Sequence, residues 1–403
     1  MSPSNITLVV TLLIFAVLLL QPRLLRSKPW QAMVTPLASI IGSGFLVAGP
    51  ILAHAAGRWA TVAMMGLCAI AYLFGSAIRH NIVHVEPEFH AKPSGIVGGL
   101  ERASEITLSL AYFVSVAYYL NLFAAFGLRF AGIENPVWIR IASTIVIAAV
   151  GMLGLRGGLD ALERLTIGAV SLKLALIGAL LSALAVATVV ALHSGTFHWP
   201  VLEHARGTHE FRMLLGLVIL VQGFETSRYL GGSYDADTRV RTMRWAQWLS
   251  TAIYLTFMLL ITRYFSGNLP TEGGETAIID MLAPVGALVM PAIIIMALAS
   301  QLSAAVADTS GAGGLISEST GERVSVNMGH LLTAVVAIAI TWLADIYQII
   351  TYASQAFVTY YALQSMQATL SAWRLGRMRR AALYALGVVI GVLVVVFAIP
   401  ATA

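Results

Sequence analysis

The chain has 403 residues, of which 58% are hydrophobic and only 11% charged, with a mean hydropathy of +0.84. Soluble domains carry roughly 25% charged residues, so this composition excludes a water-facing globule and suits a helical bundle whose outer surface meets lipid. The net charge of +5 reads as arginines that hold a membrane topology, and without a basic run interleaved with aromatics it does not indicate a nucleic-acid partner.

Apolar stretches of the length needed to cross a bilayer, about twelve in all, lie near 5–21, 32–56, 59–78, 106–130, 137–155, 166–192, 213–230, 245–265, 281–306, 328–345, 347–372 and 381–400. The first lacks a positive leader and is followed by Arg23, Arg26 and Lys28, so it reads as a retained helix rather than a cleaved signal. Those charges place the first loop in the cytoplasm and both termini outside. Later loops on the same side agree, carrying Arg79, Lys92, Arg102, Arg156, Arg164, Arg239, Arg241, Arg244, Arg323 and the cluster Arg374, Arg377, Arg379 and Arg380. Cys68 is the one cysteine and lies in an apolar run, which leaves neither a disulfide nor a zinc–thiolate site.

The second stretch contains SIIGSGFLVAGP, residues 39–50, with Gly42 and Gly44 around Ser43 and Pro50 at its end. Glycine weakens a helix interior and proline breaks one, while an unpaired peptide group in hydrocarbon costs several kcal/mol. A second interrupted stretch, LVILVQGFETSRYLGG, occupies 217–232. Sliding the chain by about 181 residues places Gly42 on Gly223 and brings four further apolar stretches of each half into register. The pattern predicts a five-helix unit used twice. Because five is odd, the second copy enters from the opposite side, and paired breaks in an inverted repeat point to a transport site at the membrane midplane. Close helix packing through small residues is the other reading of a single Gly-x-Gly, and the matched second break argues against it. The predicted organisation is an extra helix and loop over 1–31, a first five-helix repeat over 32–193, an external His-rich loop over 194–212, a second repeat over 213–372, and a basic loop with a last helix over 373–403.

SIIGSGFLVAGPILAHAAG resembles the first core helix of the amino acid–polyamine–organocation (APC) superfamily, and VQGFETSRYLGGSYDADTRVRTMRWA resembles its sixth core helix and following loop. KPSGIVGGLERASEITLSLAYFVSVAYYL is similar to the lead into the third core helix, and RLTIGAVSLKLALIGALLSAL to the fifth with its single intramembrane lysine. The four segments occur in the family's order over roughly 32–372. The resemblance implies an all-α, leucine-transporter-type fold with broken first and sixth core helices and alternating access. Carried onto this chain, it nominates Ile41, Gly42, Ser43 and Gly44 for a substrate carboxylate, and Val221, Gln222 and Gly223 for an ammonium group. These roles fit the positive N-terminal and negative C-terminal ends of half-helices. The family's aromatic gate position is Ile219 here, which favours a small solute over a bulky cationic amino acid.

Lys173 lies inside the fifth core stretch, where a charge costs about 2.5–3.5 kcal/mol on insertion scales. By the resemblance it stands beside the first break, where sodium-coupled relatives hold sodium, and is expected to carry a coupling proton; a purely structural cross-link to carbonyls is the other reading. Glu225 is a second candidate, either a proton or ion carrier or a structural acceptor for hydroxyls and amides. Asp308, with Ser303, Thr309 and Ser310 nearby, is a third, lining an ion site or else marking the wet cytoplasmic end of its helix. Tyr118, Tyr119 and Asn121, and Tyr352, Ser354 and Gln355, are candidate pore-lining residues. Seven of the nine histidines fall in two loops. His80, His84 and His90 in one, and His198, His204 and His209 in the other, are weak metal candidates beside nearby glutamates.

The leading expectation is a proton-coupled permease for a small amino-acid-like or amine solute, with the bilayer as its other partner and no cofactor. An inorganic cation or metal ion transporter on the same fold is the alternative, favoured if Asp308 and Glu225 line the site. An enzyme ranks below both: HNIVH has di-iron ligand spacing without the adjacent His-His pairs, and no phosphate-binding glycine loop supports ATP-driven pumping.

Overall fold

The computed structural model describes residues 2–42, 44–89, 95–156, 159–200, 207–265 and 274–401. These residues form an all-α bundle. In chain order the helices are α1 (Pro3–Leu19), α2 (Pro22–Leu25), α3 (Lys28–Ile40), α4 (Gly44–Ala56), α5 (Ala60–His84), α6 (Glu86–Phe89), α7 (Ile96–Phe130) and α8 (Pro136–Leu155). They continue with α9 (Leu159–His193), α10 (Thr208–Leu215), α11 (Ala236–Ile261), α12 (Ile278–Leu282), α13 (Val289–Ser319), α14 (Val326–Leu343), α15 (Ile346–Arg374) and α16 (Met378–Phe397). Eight helical stretches among the described residues are long and apolar enough to cross a membrane. The protein is a polytopic membrane protein with bent and interrupted helices.

The helix starts follow local chemistry. Asn135 caps α8 ahead of Pro136, Asp235 accepts from the Thr238 amide at the start of α11, and Ser325 caps α14. Asp345 and Gln348 form a reciprocal capping box on α15. Each side chain satisfies an amide that the first turn leaves without a helical partner.

Two interrupted stretches run through the centre. α3 ends at Ile40, followed by a turn at Ile41–Gly42, and α4 begins at Gly44. After α10 the chain continues as two 3-10 segments, Val218–Val221 and Phe224–Leu230, instead of resuming an α-helix. Around them stand α7, α13, α14 and α8, packed side by side, and α15 against α5, α7 and α16. The extra helix α1 lies along α9 with the Phe15 ring against Gly178, and its Asn5 carboxamide oxygen accepts from the Leu288 amide.

Several expected boundaries move: α5 runs on to His84, so His80 and His84 lie on a helix rather than in a loop, and α7 starts at Ile96 instead of near 106. The stretch expected near 281–306 begins as a helix only at Val289, because Pro284 and the extended Gly286 interrupt the chain after α12. At its other end α13 runs on through the glycines 311, 313 and 314 to Ser319. Tertiary packing overrides the helix-breaking tendency there: Gly311 lies under the Tyr112 ring and Gly313 under the His330 ring. Asp308 is consequently 2% exposed in mid-helix rather than at a wet helix end.

Gly313 and Gly314 provide a paired test of this packing. A Cβ at Gly313 would stand 2.4 Å from the His330 ring and 2.9 Å from the Val326 carbonyl oxygen, whereas one at Gly314 meets nothing within 4 Å. Gly313→Ala is expected to cost about 1–3 kcal/mol. Gly314→Ala should be neutral or stabilising by up to ~1 kcal/mol. Thermal unfolding of both variants in detergent checks this.

Candidate functional site

At the first break the Gly42 amide turns to Ser39 O at 3.0 Å, a three-residue bond in place of the four-residue one to Ala38. That substitution releases the Ala38 carbonyl. Lys173, 1% exposed on α9, places Nζ 3.0 Å from it and donates. The break and the buried lysine are therefore one contact. An isolated ammonium in hydrocarbon is costly, and a peptide carbonyl without a donor is too. Each offsets part of the other's cost.

At the second break Gly223 takes φ +114°, a left-handed conformation that favours glycine. Its amide donates to Glu225 Oε2 at 2.9 Å, and the Tyr361 hydroxyl donates to the same oxygen at 2.6 Å. Tyr361 is fixed by stacking between the Phe74 ring, 5.2 Å away, and the Phe224 ring, 4.9 Å away. Upstream, the Ile219 amide donates to Ser354 Oγ at 3.0 Å while that hydroxyl donates to Gly216 O at 2.6 Å. Gln222 donates from Nε2 to the Tyr119 hydroxyl at 2.9 Å.

The breaks touch. A Cβ at Gly44 would lie 2.2 Å from Leu220 O, and one at Gly223 would lie 2.4 Å from Ser39 Oγ, so glycine is required on each side for the backbones to meet. The Tyr254 hydroxyl from α11 spans the junction, 2.9 Å from Ile40 O and 2.6 Å from Leu220 O. A hydroxyl has one proton, so the two released carbonyls share a single donor.

The remaining residues sort by position. Asp308 accepts from Ser115 on α7, one helical turn from Tyr119. Tyr118 and Tyr119 are fully buried, with rings 5.4 Å apart. Asn121 does not line the breaks: it bonds Thr341 at 2.8 Å and accepts from Ser143, tying α7 to α14 and α8. Ser354 faces the second break, but Gln355 turns to Val395 O on α16 at 3.2 Å, and Tyr352, on the same helix face, is 48% exposed. A four-residue stretch of sequence cannot show which face of a helix turns inward. Ser43, His90 and His204 lie outside the described residues. Among the described residues no three His, Cys, Asp or Glu side chains converge on a metal position. His80 pairs with Ser371 at 3.1 Å and His84 with Arg377 at 2.8 Å, while His198 and His209 are exposed.

Several buried polar atoms beside the breaks have no hydrogen-bond partner among the described residues: Ser39 Oγ, Glu225 Oε1, and both Oε1 and Nε2 of Gln301 on α13. Leaving such a group unpaired costs about 1–3 kcal/mol. Gln301 was not singled out from sequence; the available signal was an amide between Ser300 and Ser303 in the largely apolar run PAIIIMALASQLSAAVA.

Comparison with known proteins decides the family. Residues 22–398 match the model of an APC superfamily transporter. The chain belongs to the APC superfamily. It is 40% identical over 367 residues to a protein of Aquifex aeolicus (strain VF5) described only as uncharacterised, spanning 90% of this chain and 88% of that one. Its fold is similar to that of MhsT, solved in complex with L-phenylalanine, with a TM-score of 0.61 at 14% identity over 93% of this chain and 99% of that one. It is also similar to a Na+-coupled sialic acid symporter solved in a substrate-bound outward-open state, with a TM-score of 0.50 at 14% identity over 99% and 98% of the two chains. At these identities the two structures establish the fold, which is leucine-transporter-like. As a superfamily member the protein is a secondary active transporter of a small solute, a permease rather than an enzyme.

For a transporter the end of the second interrupted stretch is informative. Arg228, in the 3-10 segment after Gly223, pairs with Glu101 on α7 at 2.7 Å and with Gln364 on α15. Asn81 on α5 donates to the same Gln364 oxygen at 2.9 Å. Arg239 on α11 donates to Arg228 O at 2.7 Å and engages both oxygens of Glu86. This polar network bolts the segment to α7, α15 and α11 directly, and through them to α5 and α6, at the arginine-rich end of the bundle.

Replacing Tyr254 by Phe removes the shared donor and leaves two buried carbonyls without it. Tyr254→Phe is expected to lower stability by about 1–3 kcal/mol, read as a reduced midpoint in detergent unfolding. An unchanged midpoint would show that the bridge contributes nothing.

Proposed function

We propose that the protein is a proton-coupled permease for a small amino-acid-like or amine solute, bound where the two interrupted stretches meet. The observation that carries this reading is the contact between the breaks, with Gly44 against Leu220, Gly223 against Ser39, and backbone groups from both released into one buried region. On this reading amides of Ile41, Gly42, Ser43 and Gly44 turn to a carboxylate when solute binds, those of Ile41 and Gly42 leaving the Leu37 and Ser39 carbonyls they donate to here, and Val221, Gln222 and Gly223 present carbonyls to an ammonium group. Lys173 is the coupling group: protonated, it occupies the Ala38 carbonyl as a bound cation would; deprotonated, it loosens the first break. Glu225 and Asp308 are the buried acids that accompany its charge changes.

The proposed architecture has twelve crossings, with five-helix repeats over 32–193 and 213–372 inverted with respect to each other, flanked by α1 and α16. The arginine-rich end faces the cytoplasm and both termini face outward, in a bacterial inner membrane. The Arg228–Glu101 and Arg239–Glu86 pairs then close the cytoplasmic side and have to separate when the site opens inward.

Transport of an inorganic cation is the second reading, favoured by two carboxylates buried near the centre, Glu225 at 0% and Asp308 at 2% exposure. Uptake into proteoliposomes separates the two. The expected result is accumulation of a labelled small L-amino acid, driven by an inwardly directed proton gradient and indifferent to sodium. Lys173→Ala should abolish the gradient dependence and reduce uptake at least tenfold. Undiminished proton dependence in that variant would end the role given to Lys173, and uptake of a metal ion in place of every amino acid would favour the second reading.

A further inference from the structure

Gln301 is 1% exposed, and neither the oxygen nor the nitrogen of its carboxamide has a hydrogen-bond partner among the described residues. Helical spacing puts it on one face of α13 with Ala304 and Asp308. That face is at the first break: the Ala304 methyl lies 3.2 Å from where a Gly42 Cβ would be, and the Ala38 carbonyl that holds Lys173 lies 3.1 Å from the same point. The amide thus stands one turn of α13 from the released backbone groups.

We propose that Gln301 is a specificity-determining residue that binds the polar head of the solute, and that this head is zwitterionic. The inference rests on the substrate site described under Proposed function and narrows its solute class. A carboxamide offers an acceptor and a donor side by side. Oε1 accepts from an ammonium group while Nε2 donates to a carboxylate, and an amino acid carries both on one carbon. A simple amine satisfies only the oxygen. A simple carboxylate satisfies only the nitrogen. A bare metal cation likewise leaves the N–H groups without an acceptor, so the amide favours an amino acid over the inorganic cargo.

A buried amide kept for a ligand has a distinctive signature, because replacing it with an apolar side chain of similar volume removes an unpaired group from the ligand-free protein. Purified full-length wild type, Gln301→Leu and Gln301→Met are compared by thermal unfolding, alone and with glycine, each of the other small L-amino acids, propionate or ethylamine. The expected result is that both variants unfold a few degrees higher than wild type without additive. Wild type should be stabilised by an amino acid but not by propionate or ethylamine, and the variants should need at least tenfold more of that amino acid for the same shift. Variants less stable than wild type without additive would overturn the proposal, since the amide would then have a structural partner. A wild type that responds as strongly to ethylamine or propionate would overturn the zwitterionic head. If wild type and variants respond alike to an amino acid, the role of Gln301 falls while the proposed function stands. If only metal salts stabilise wild type, the amino-acid reading falls and this inference with it.

Discussion

In hydrocarbon a peptide group that leaves the helical ladder has to find another partner, and the centre of this protein is organised by that requirement. The released Ala38 carbonyl is held by Lys173, the Ile40 and Leu220 carbonyls by Tyr254, the Gly216 carbonyl by Ser354, and the Gly223 amide by Glu225. Three of these side chains come from continuous helices, α9, α11 and α15. The interrupted stretches are therefore held by their neighbours as well as by themselves, and any rearrangement at the breaks is transmitted to those helices as the loss or exchange of a named hydrogen bond.

The two breaks differ in how they are held. The first is tied down by the Lys173 amine donating to a carbonyl. The second is held by a carboxylate that accepts an amide and a hydroxyl, with Tyr361 clamped between two aromatic rings. Beyond it, Arg228 and Arg239 anchor the following segment through ion pairs and a backbone carbonyl. Such contacts are strong only while water is excluded, which suits a fastening that closes one end of a bundle and yields when that end is wetted.

How much of this was legible in the sequence depends on range. SIIGSGFLVAGP and LVILVQGFETSRYLGG announced the breaks because glycine and proline act on their own backbone. Lys173 and Glu225 stood out because charge is rare and costly in an apolar run. Asn121, Tyr352 and Gln355 were polar residues in apolar helices too, yet one ties scaffold helices together and the other two turn away from the breaks. Their facing is set by which helix packs beside them. Asp308 could be read as a wet helix end, but the glycines after it make room for Tyr112 and His330 and the helix runs on.

By itself the sequence determined the membrane setting, the helical class and the position of both interruptions, since composition, periodicity and backbone stiffness are local properties. Only the tertiary structure decided how closely the interruptions meet, that Lys173 donates to the Ala38 carbonyl, that one tyrosine serves both, and that Gln301 stands beside them with no partner among the described residues. These are pairings between residues far apart in the chain. A hydrogen bond extends over about 3 Å, and nothing in the identity of one partner specifies where the packing of the other helices will bring its counterpart.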